Sequence, residues 1–338
     1  MHIIARDNGA GLSRDLVILT RTLAQADFEV TLSAIGAGGL RRSATLLRRR
    51  AQRWWRRWRG APAQGRFDVN LMDERIRPEY LPLARRNVLL PHPEWFAEQD
   101  RPWLGALDAV FAKTRHAVPI FSALGCATRF VGFTSFDREL PAVARSATFF
   151  HLGGRSPNKG TQVLVDAWLQ APHWPTLTLV QRAPLRLPAQ LPANLRCVRD
   201  YLDDDTLQRL QNEHLFHLCP SETEGFGHHL VEGLSVGAIT LATDAPPMNE
   251  MVTPERGVLV PWARRGSQRL ATTYFVEPAA ISAGVEHLLA LDQAQCAQLR
   301  ANARAWWLAN DAAFGQRLRG AIAELASNAA APAAGAPH

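Results

Sequence analysis

Strand-like and helix-like hydrophobic patterns alternate along most of the chain. Short apolar runs fit buried strands, and the segments after many of them carry apolar residues three or four positions apart, which fits helices packed by one face. The predicted strands are Ile3–Ala5, Val30–Ala34, Asp68–Met72, Asn87–Pro91, Ala109–Ala112, Arg129–Gly132, Phe149–Gly153, Thr176–Gln181, Leu195–Val198, Leu215–Cys219, Ala238–Ala242 and Val258–Val260. The predicted helices are Ser13–Ala26, Arg41–Arg59, Arg115–Leu124, Thr161–Leu169, Asp205–Glu213, His228–Ser235, Pro278–Leu291 and Ala294–Leu308. This alternation is typical of an α/β fold with helices on both faces of a largely parallel sheet.

The chain length and a break in the pattern predict two domains. A chain of 338 residues is long enough for about two, and Ser135–Ser146 has the character of a linker. We therefore expect one domain over residues 1–140 and a second over residues 146–326. The tail Ser327–His338 is mostly Ala, Pro and Gly, and we expect it to be disordered. Two such halves facing each other would form a cleft, with ligands at the carboxyl ends of the strands.

A phosphate-binding pattern follows one predicted strand of the second half. Glu224 stands directly before the turn Gly225, Phe226 and Gly227, and Glu232 lies about one and a half turns into the helical pattern that comes next. The turn can present backbone N–H groups and the positive end of a helix dipole to a phosphate. The two carboxylates can bind hydroxyls on either side of that phosphate. This order of residue types predicts a nucleotide-sugar site.

A basic loop belongs beside this pattern. Arg155 and Lys159 lie between the glycines Gly153, Gly154 and Gly160, again after a predicted strand and before a predicted helix. An arginine can bind a diphosphate as a bidentate fork and a lysine as a point charge. Neutralising a departing diphosphate is the largest stabilisation that such a site can offer.

Each of these features also has a purely structural interpretation. Glu224 could cap the following helix, Glu232 could be an exposed helix residue, and the glycines could serve turns and packing only. The acidic run Asp203–Asp205 resembles a metal-binding cluster, but it stands directly before a helical pattern and is better explained as a helix N-cap with an acidic first turn. The sequence therefore assigns no metal.

Taken together, three motifs resemble a known family. They read Gly-Arg…Lys-Gly at 154–160, Pro-Ser-x-x-Glu-Gly-Phe-Gly…Glu at 220–232 and Asp-x-Pro-Pro-x-Asn-Glu at 244–250. They look like the C-terminal half of the retaining glycosyltransferases called group one or family four, which have two Rossmann-like domains with parallel sheets facing a central cleft, the GT-B fold. The resemblance covers about 150–262 and is diffuse before that.

The resemblance implies a nucleoside-diphosphate sugar held by the second domain, an acceptor held mainly by the first, transfer with retained configuration and no metal. Arg155 and Lys159 would bind the diphosphate, the Glu224–Gly227 segment the donor sugar, and Glu232 the ribose hydroxyls. One departure is that the spacing between Arg155 and Lys159 is one residue shorter than is usual in the family.

The first half offers weaker candidates for the cleft. Gly9 and Gly11 follow the first predicted strand and could let backbone approach the reaction centre, although a plain tight turn explains them equally well. His92 and Glu94 stand in a proline-rich loop after a strand, and Lys113 ends another. In the resembled family a first-domain histidine often approaches the donor sugar, which makes His92 a candidate catalytic residue. The alternative is a structural loop histidine.

The net charge of +7 is concentrated in one segment. Residues 41–59 hold nine arginines and no acid, so the rest of the chain carries about −2. On a helix, the tryptophans Trp54, Trp55 and Trp58 share one face and arginines such as Arg49, Arg53 and Arg57 lie outside it. This composition is typical of a helix lying on an anionic membrane surface. A solvated basic face is the first alternative, and nucleic-acid binding, which we do not expect, is the second.

Cysteines and hydrophobic runs indicate the compartment. The four cysteines are scattered singly, as in a reduced protein of the cytoplasm. No run approaches the roughly 18 apolar residues of a spanning helix, and we expect no cleaved secretory signal. We expect a cytoplasmic protein attached peripherally to the inner face of the membrane.

The sequence thus predicts a metal-independent glycosyltransferase that uses a nucleotide sugar as substrate, without a separate cofactor, and a glycan or lipid-linked acceptor. Two alternatives stay open. One is a sugar-nucleotide epimerase or hydrolase with the same donor site. The other is a non-catalytic protein that binds membranes or nucleic acid.

Overall fold

The computed structural model describes residues 1–6, 11–24, 28–35 and 65–330. The predicted basic helix Arg41–Arg59, with its tryptophans and arginines, lies outside these residues, and so does Gly9. None of the described helices has a stretch that is long and apolar enough to cross a lipid bilayer.

The chain divides into two compact units. The first comprises Met1–Gly132 together with Ala313–His338, and the second comprises Phe133–Ala312. The predicted domains were 1–140 and 146–326, so the division falls earlier than expected and the end of the chain returns to the first unit. Between residues 130 and 146 the structure has no helix or strand, and the segment 135–146, predicted as a linker, lies within the second unit.

The first unit is a six-stranded sheet in which every strand pair is parallel. Its strand order is β2-β1-β3-β4-β5-β6, and helices α1 and α2 pack against it. Apolar residues of the central strands, such as Leu71, Val88 and Val110, are fully buried, which explains why these segments read as continuous apolar runs. The elements are β1 His2–Arg6, α1 Gly11–Ala24, β2 Thr31–Ile35, β3 Phe67–Asp73, β4 Ala84–Leu90, β5 Ala109–Ala112, α2 Ala117–Ser122 and β6 Thr128–Phe130.

The second unit repeats this architecture with the strand order β12-β11-β10-β7-β8-β9, again parallel throughout. At its centre Phe149 stacks on Phe216 and meets Trp168 edge-on. The elements are β7 Ser146–Gly154, α3 Thr161–Gln170, β8 Leu177–Gln181, β9 Leu195–Val198, α4 Asp204–Glu213, β10 His214–Cys219, α5 His228–Ser235, β11 Ile239–Thr243, α6 Met248–Met251, β12 Gly257–Val260, β13 Arg264–Gln268, β14 Ala271–Phe275, α7 Pro278–Ala290 and α8 Gln293–Ala330.

The predicted α/β class with parallel sheets is confirmed, and each predicted strand overlaps one observed strand from β1 to β12. The hairpin of β13 and β14 was not predicted. Its strands are antiparallel. β13 is largely exposed, β14 is buried or half-buried, and the sequence RRGSQRLATTYF contains three arginines. Without an apolar run to mark it, the hairpin gave no strand signal. The short helix α6 was missed as well.

Helix α8 is far longer than the predicted Ala294–Leu308. Beyond residue 308 its buried residues Phe314, Leu318, Ala321 and Ile322 recur at helical spacing. Residues 327–330 are helical too, which corrects the expectation of disorder for that part of the tail. Alanine is the strongest helix former, so an alanine-rich composition alone does not predict disorder.

Two buried histidines of the second sheet make its stability depend on pH. His151, on β7, contacts the carbonyl of Leu218, and His217, on β10, that of Gln211. Burial lowers the pKa of His151 to about 4 and the pKa of His217 to about 3. In the unfolded chain a histidine takes up a proton near pH 6.5. The unfolded state therefore binds more protons below that pH, and the free energy of unfolding falls as the pH is lowered from 6.5 towards 4.

We predict a loss of about 1.4 kcal/mol per pH unit for each of these histidines between pH 6 and 4.5. Urea unfolding across this range measures it. His217→Gln keeps an amide N–H for the Gln211 carbonyl but cannot titrate. Its free energy of unfolding should therefore fall less steeply with pH, by about 1.4 kcal/mol per pH unit. His287→Gln, at an exposed position, is the matched control and should keep the slope of the parent protein. A His217→Gln variant with an unchanged slope would contradict the assignment.

Candidate functional site

The candidate site lies where the strand order of the second sheet reverses. β7 and β10 are neighbours at this point, and the loops that follow them run over residues 155–160 and 220–227. The N–H of Glu222 donates to the carbonyl of Asn158 at 2.8 Å, which joins the two loops. Ligands of open α/β sheets bind at such a reversal, beyond the carboxyl ends of the strands.

Gly160 allows the two loops to approach each other. Its φ of +65° lies in the left-handed region. A Cβ at this position would lie 2.1 Å from the carbonyl oxygen of Pro220. Glycine is therefore needed here for two reasons, backbone conformation and close contact.

Gly227 turns the second loop into helix α5, which begins and ends where the sequence predicted. It is the N-cap residue, with φ +94° and ψ +60°, and a Cβ there would meet the Leu230 side chain at 2.7 Å and Glu224 Cγ at 3.4 Å. The first N–H groups of a helix lack partners within it, and they carry the positive end of its dipole. The start of α5 therefore places positive potential beside Glu224.

Lys159 and Glu224, one from each loop, form an ion pair. Lys159 Nζ donates to Glu224 Oε1 at 2.5 Å, and the two side chains are 16% and 8% exposed. The sequence assigned one residue to the diphosphate and the other to the sugar, and the structure brings them together. Glu224 is not the N-cap of α5, since Gly227 occupies that position.

His229, which the sequence analysis did not select, completes this group. Lys159 Nζ lies 3.3 Å from His229 Nδ1, and Ser221 Oγ lies 3.0 Å from Nε2. Burial, aided by the charge of Lys159, lowers the pKa of His229 well below its ordinary value. Because an ammonium group only donates, Nδ1 accepts and the ring proton resides on Nε2. His229 is therefore neutral, and Lys159 supplies the positive charge.

Two other residues of the predicted site are placed differently. Arg155 is exposed, and its side chain makes no hydrogen bond or ion pair with another described residue, so its diphosphate contact stays a prediction. Phe226 is buried, with its ring packed edge-on against Phe133 and His228 at 5.3 Å each. Because this ring is part of the core, the predicted contact of Gly225–Gly227 with a ligand would be made by the backbone.

Glu232 is fully buried on α5, which excludes the interpretation as an exposed helix residue. Gln211 Nε2 donates to Glu232 Oε2 at 2.8 Å, and Gln211 Oε1 accepts from Arg138 Nε at 2.8 Å. The guanidinium has donors only, so it fixes the orientation of the Gln211 amide and points its NH₂ group at Glu232. Asp204 pairs with the same guanidinium at 2.6 Å.

Contact between Glu232 and a ribose therefore requires movement of the side chains around it. Sequence reasoning missed Gln211 and Arg138 because both lie far from Glu232 along the chain. The acidic run behaves as expected: Asp203 caps α4 by accepting from the N–H and the hydroxyl of Thr206 at 2.8 and 2.7 Å.

In the first unit, the side chain of Lys113, a predicted cleft residue, is fully buried. It bonds to Asp15 on α1, to Asp73 at the end of β3 and to His92 in the loop after β4. Asp15 and Asp73 were not foreseen, since neither belongs to a motif. Two other predicted cleft residues lie in this unit: Glu94 is buried, and Gly11 is the first residue of α1.

The ligand atoms of Asp15, Asp73 and His92 lie within 4.8 Å of one another, a spacing that would suit a cation. The ammonium group of Lys113 already bonds to all three. A fixed cation therefore occupies the centre of this cluster, and we assign no metal to it.

Comparison with known proteins identifies the fold. No family model matches the sequence, and no curated protein matches it either. Among solved structures, Anabaena HepE in complex with UDP and glucose has a TM-score of 0.66 and 17% identity, over 96% of this chain and 100% of HepE. The chain has the GT-B fold.

Two further solved structures are similar to this chain over nearly its whole length. A glycosyltransferase from Rickettsia africae has a TM-score of 0.67 and 12% identity, over 97% of this chain and 98% of its own. Sucrose-phosphate synthase from Thermosynechococcus elongatus has a TM-score of 0.63 and 16% identity, with 96% and 99% covered. At these identities the similarity establishes the fold.

The steric role of Gly160 can be tested by substitution, with Gly154 as the matched control. Gly154 also has a left-handed backbone, with φ +59°, but a Cβ there would meet nothing within 4 Å. Gly154→Ala should lower the free energy of unfolding by about 1 kcal/mol, the cost of the backbone conformation. Gly160→Ala should lower it by about 3 kcal/mol or more, because the two loops must also separate. Urea unfolding at neutral pH measures both, and equal losses would contradict a steric role for the Pro220 contact.

Proposed function

We propose that the protein is a glycosyltransferase that moves a sugar from a nucleoside-diphosphate sugar to a glycan or lipid-linked acceptor, with retention of configuration and without a metal. The observation that carries the proposal is the Lys159–Glu224 pair at the start of α5, at the strand reversal of the second sheet. The UDP and glucose in HepE, and the UDP-glucose in a second HepE structure, support a UDP-sugar as the donor.

In this proposal the diphosphate binds between Lys159, Arg155 and the N-terminus of α5. Lys159 is paired with Glu224 in the structure described here. A diphosphate brings at least two negative charges, so it competes with Glu224 for the ammonium group. Glu224, displaced from part of that contact, can accept hydrogen bonds from hydroxyls of the donor sugar. Glu232 is assigned to the ribose.

The proposed reaction is a front-face displacement. The bond between the anomeric carbon and the diphosphate oxygen breaks, and the acceptor oxygen bonds to the same face of that carbon. The departing diphosphate takes the acceptor proton, so no protein nucleophile is required. The positive groups at the site lower the barrier by stabilising charge that develops on the leaving group. Because Lys159, Arg155 and a helix terminus share this task, no divalent cation is needed.

A hydrolase or an epimerase could use the same donor site, and a non-catalytic protein could retain it. These alternatives differ from a transferase in what turnover requires. A transferase consumes the donor only when an acceptor is added, an epimerase or hydrolase consumes it alone, and a non-catalytic protein does not consume it. An acceptor titration therefore separates the three.

We also propose that residues 41–59 attach the protein to an anionic membrane surface in the cytoplasm. The support is the sequence pattern: nine arginines and three tryptophans in nineteen positions, with the two residue types on different helix faces. Each arginine near an anionic surface would contribute about 1 kcal/mol.

A pair of isosteric variants tests the donor site. Glu232→Gln removes a carboxylate assigned to the ribose and should weaken binding of UDP about tenfold, since a hydrogen bond to a charged group contributes about 1.5–3 kcal/mol. Glu224→Gln removes a carboxylate that competes with the diphosphate, so it should bind UDP as tightly as the parent protein or more tightly. It should nevertheless lower sugar transfer about a hundredfold.

Calorimetry with UDP and a transfer assay with UDP-glucose measure these effects. Transfer by the parent protein should persist in excess chelator. Equal UDP affinity in the parent protein and Glu232→Gln would remove the ribose assignment, and metal-reversible loss of transfer in chelator would overturn metal independence.

Vesicle sedimentation tests the membrane segment. Replacing Trp54, Trp55 and Trp58 by Ala should reduce binding to anionic vesicles at any salt concentration, because buried aromatic area is lost. Replacing Arg49, Arg53 and Arg57 by Gln should reduce binding mainly at low salt, where attraction to the headgroups is strongest. Both variants should bind UDP normally. Equal binding to neutral and anionic vesicles would contradict the proposal.

A further inference from the structure

The buried cluster of the first unit contains four ionisable side chains that take no part in the proposed reaction. Lys113 lies at the centre, and around it are the carboxylates of Asp15 and Asp73 and the imidazole of His92. Lys113, Asp15 and Asp73 are at most 1% exposed, whereas His92 is 16% exposed. His92 is therefore the member of the cluster that reaches the protein surface.

Lys113 keeps its proton despite being buried. Burial by itself lowers the pKa of Lys113, but the facing carboxylates of Asp15 and Asp73 outweigh that effect and raise the pKa above its ordinary value. Its amino group is consequently an ammonium ion at physiological pH. An ammonium ion has three N–H donors and no acceptor.

The three donors have three acceptors. They are Asp15 Oδ2, Asp73 Oδ1 at 3.3 Å and His92 Nε2 at 2.6 Å. Since Lys113 can only donate, His92 Nε2 must accept, and a ring nitrogen that accepts carries no proton. The hydrogen bond therefore fixes His92 as a neutral imidazole with its proton on Nδ1.

We propose that Lys113 is a positioning residue that holds His92 in the Nδ1–H form, so that His92 acts as a hydrogen-bond donor to a carbohydrate hydroxyl oxygen and not as a general base. The identity of this oxygen rests on the proposed function. The geometry agrees with a reaction in which the departing diphosphate takes the acceptor proton, because His92 Nε2 is already engaged. The tautomer itself is a property of the protein without substrate.

Nitrogen-15 NMR of the imidazole side chains tests the tautomer directly. Protonated and unprotonated ring nitrogens differ strongly in chemical shift, and His92 is assigned as the signal missing from His92→Gln. Spectra are recorded at pH 8, where Asp73, whose pKa is raised by burial to about 7, is mainly ionised.

Two other histidines are internal standards, because each contacts a carbonyl oxygen, which can only accept. His151 contacts the Leu218 carbonyl through Nδ1, and His217 contacts the Gln211 carbonyl through Nε2. The spectrum must therefore contain at least one histidine of each tautomer. We expect His92 to match His151. A match with His217, or an imidazolium pattern, would overturn the proposal.

The double variant Lys113→Met/Asp15→Asn tests whether Lys113 is the cause. It removes one positive and one negative charge, so the cluster keeps its net charge while His92 loses the ammonium donor. We expect the tautomer to change towards Nε2–H. An unchanged Nδ1–H pattern in a folded double variant would overturn the role of Lys113. If this variant does not fold, the spectrum of the parent protein still tests the tautomer of His92, and the next pair of variants still tests its role as a donor.

A matched pair of substitutions at His92 tests the donor role. The side-chain amide of Asn lies near the position of Nδ1, whereas that of Gln lies near Nε2. His92→Asn should therefore retain about ten times more transfer activity than His92→Gln, the effect of one hydrogen bond. Equal losses or the reverse order would overturn the donor role.

The kinetic constants identify the source of the hydroxyl. An increase in the KM for the nucleotide sugar indicates the donor, and an increase in the KM for the acceptor indicates the acceptor. Failure of all sugar transfer would contradict the proposed function, but the tautomer experiment would still decide the role of Lys113.

Discussion

The close contact between Gly160 and Pro220 is the constraint on which the candidate site depends. The loops after β7 and β10 carry the two partners of the ion pair, Lys159 and Glu224, and any side chain at residue 160 would force these loops apart. The parallel pairing of β7 with β10 supplies the coarse alignment, because it ends both strands at the same edge of the sheet. The absence of a Cβ at Gly160 then allows the two loops to come into contact.

A lysine sets the proton position of a histidine in each unit. Lys159 faces Nδ1 of His229, which leaves the proton on Nε2, and Lys113 faces Nε2 of His92, which leaves it on Nδ1. Beside Lys113, the carboxylates of Asp15 and Asp73 raise the pKa of the lysine and keep its ammonium group charged. A donor-only group thus decides which edge of a neutral imidazole can donate, without any titration of the ring.

Local patterns predicted the parallel sheets and most of the motif residues, because periodic burial and turn chemistry act over a few residues. Helix α5 was predicted with the correct ends, since Gly227 marks its start in the sequence. The partners of these residues could not be predicted. Arg138 reaches Glu232 through Gln211, and Asp15 meets Lys113 across 98 positions of the chain. The hairpin of β13 and β14 was missed for a different reason, since its sequence RRGSQRLATTYF contains no continuous apolar run.

Helix α8 begins in the second unit and ends in the first. During synthesis the six strands of the first unit leave the ribosome before any part of the second. The buried face of Phe314, Leu318 and Ile322 is made only after the second unit is complete. Proteins usually fold from the N-terminus as domains emerge. Here the unit that is translated first acquires its last helical segment only after the second unit has been translated, so the order of synthesis and the order of completion are reversed.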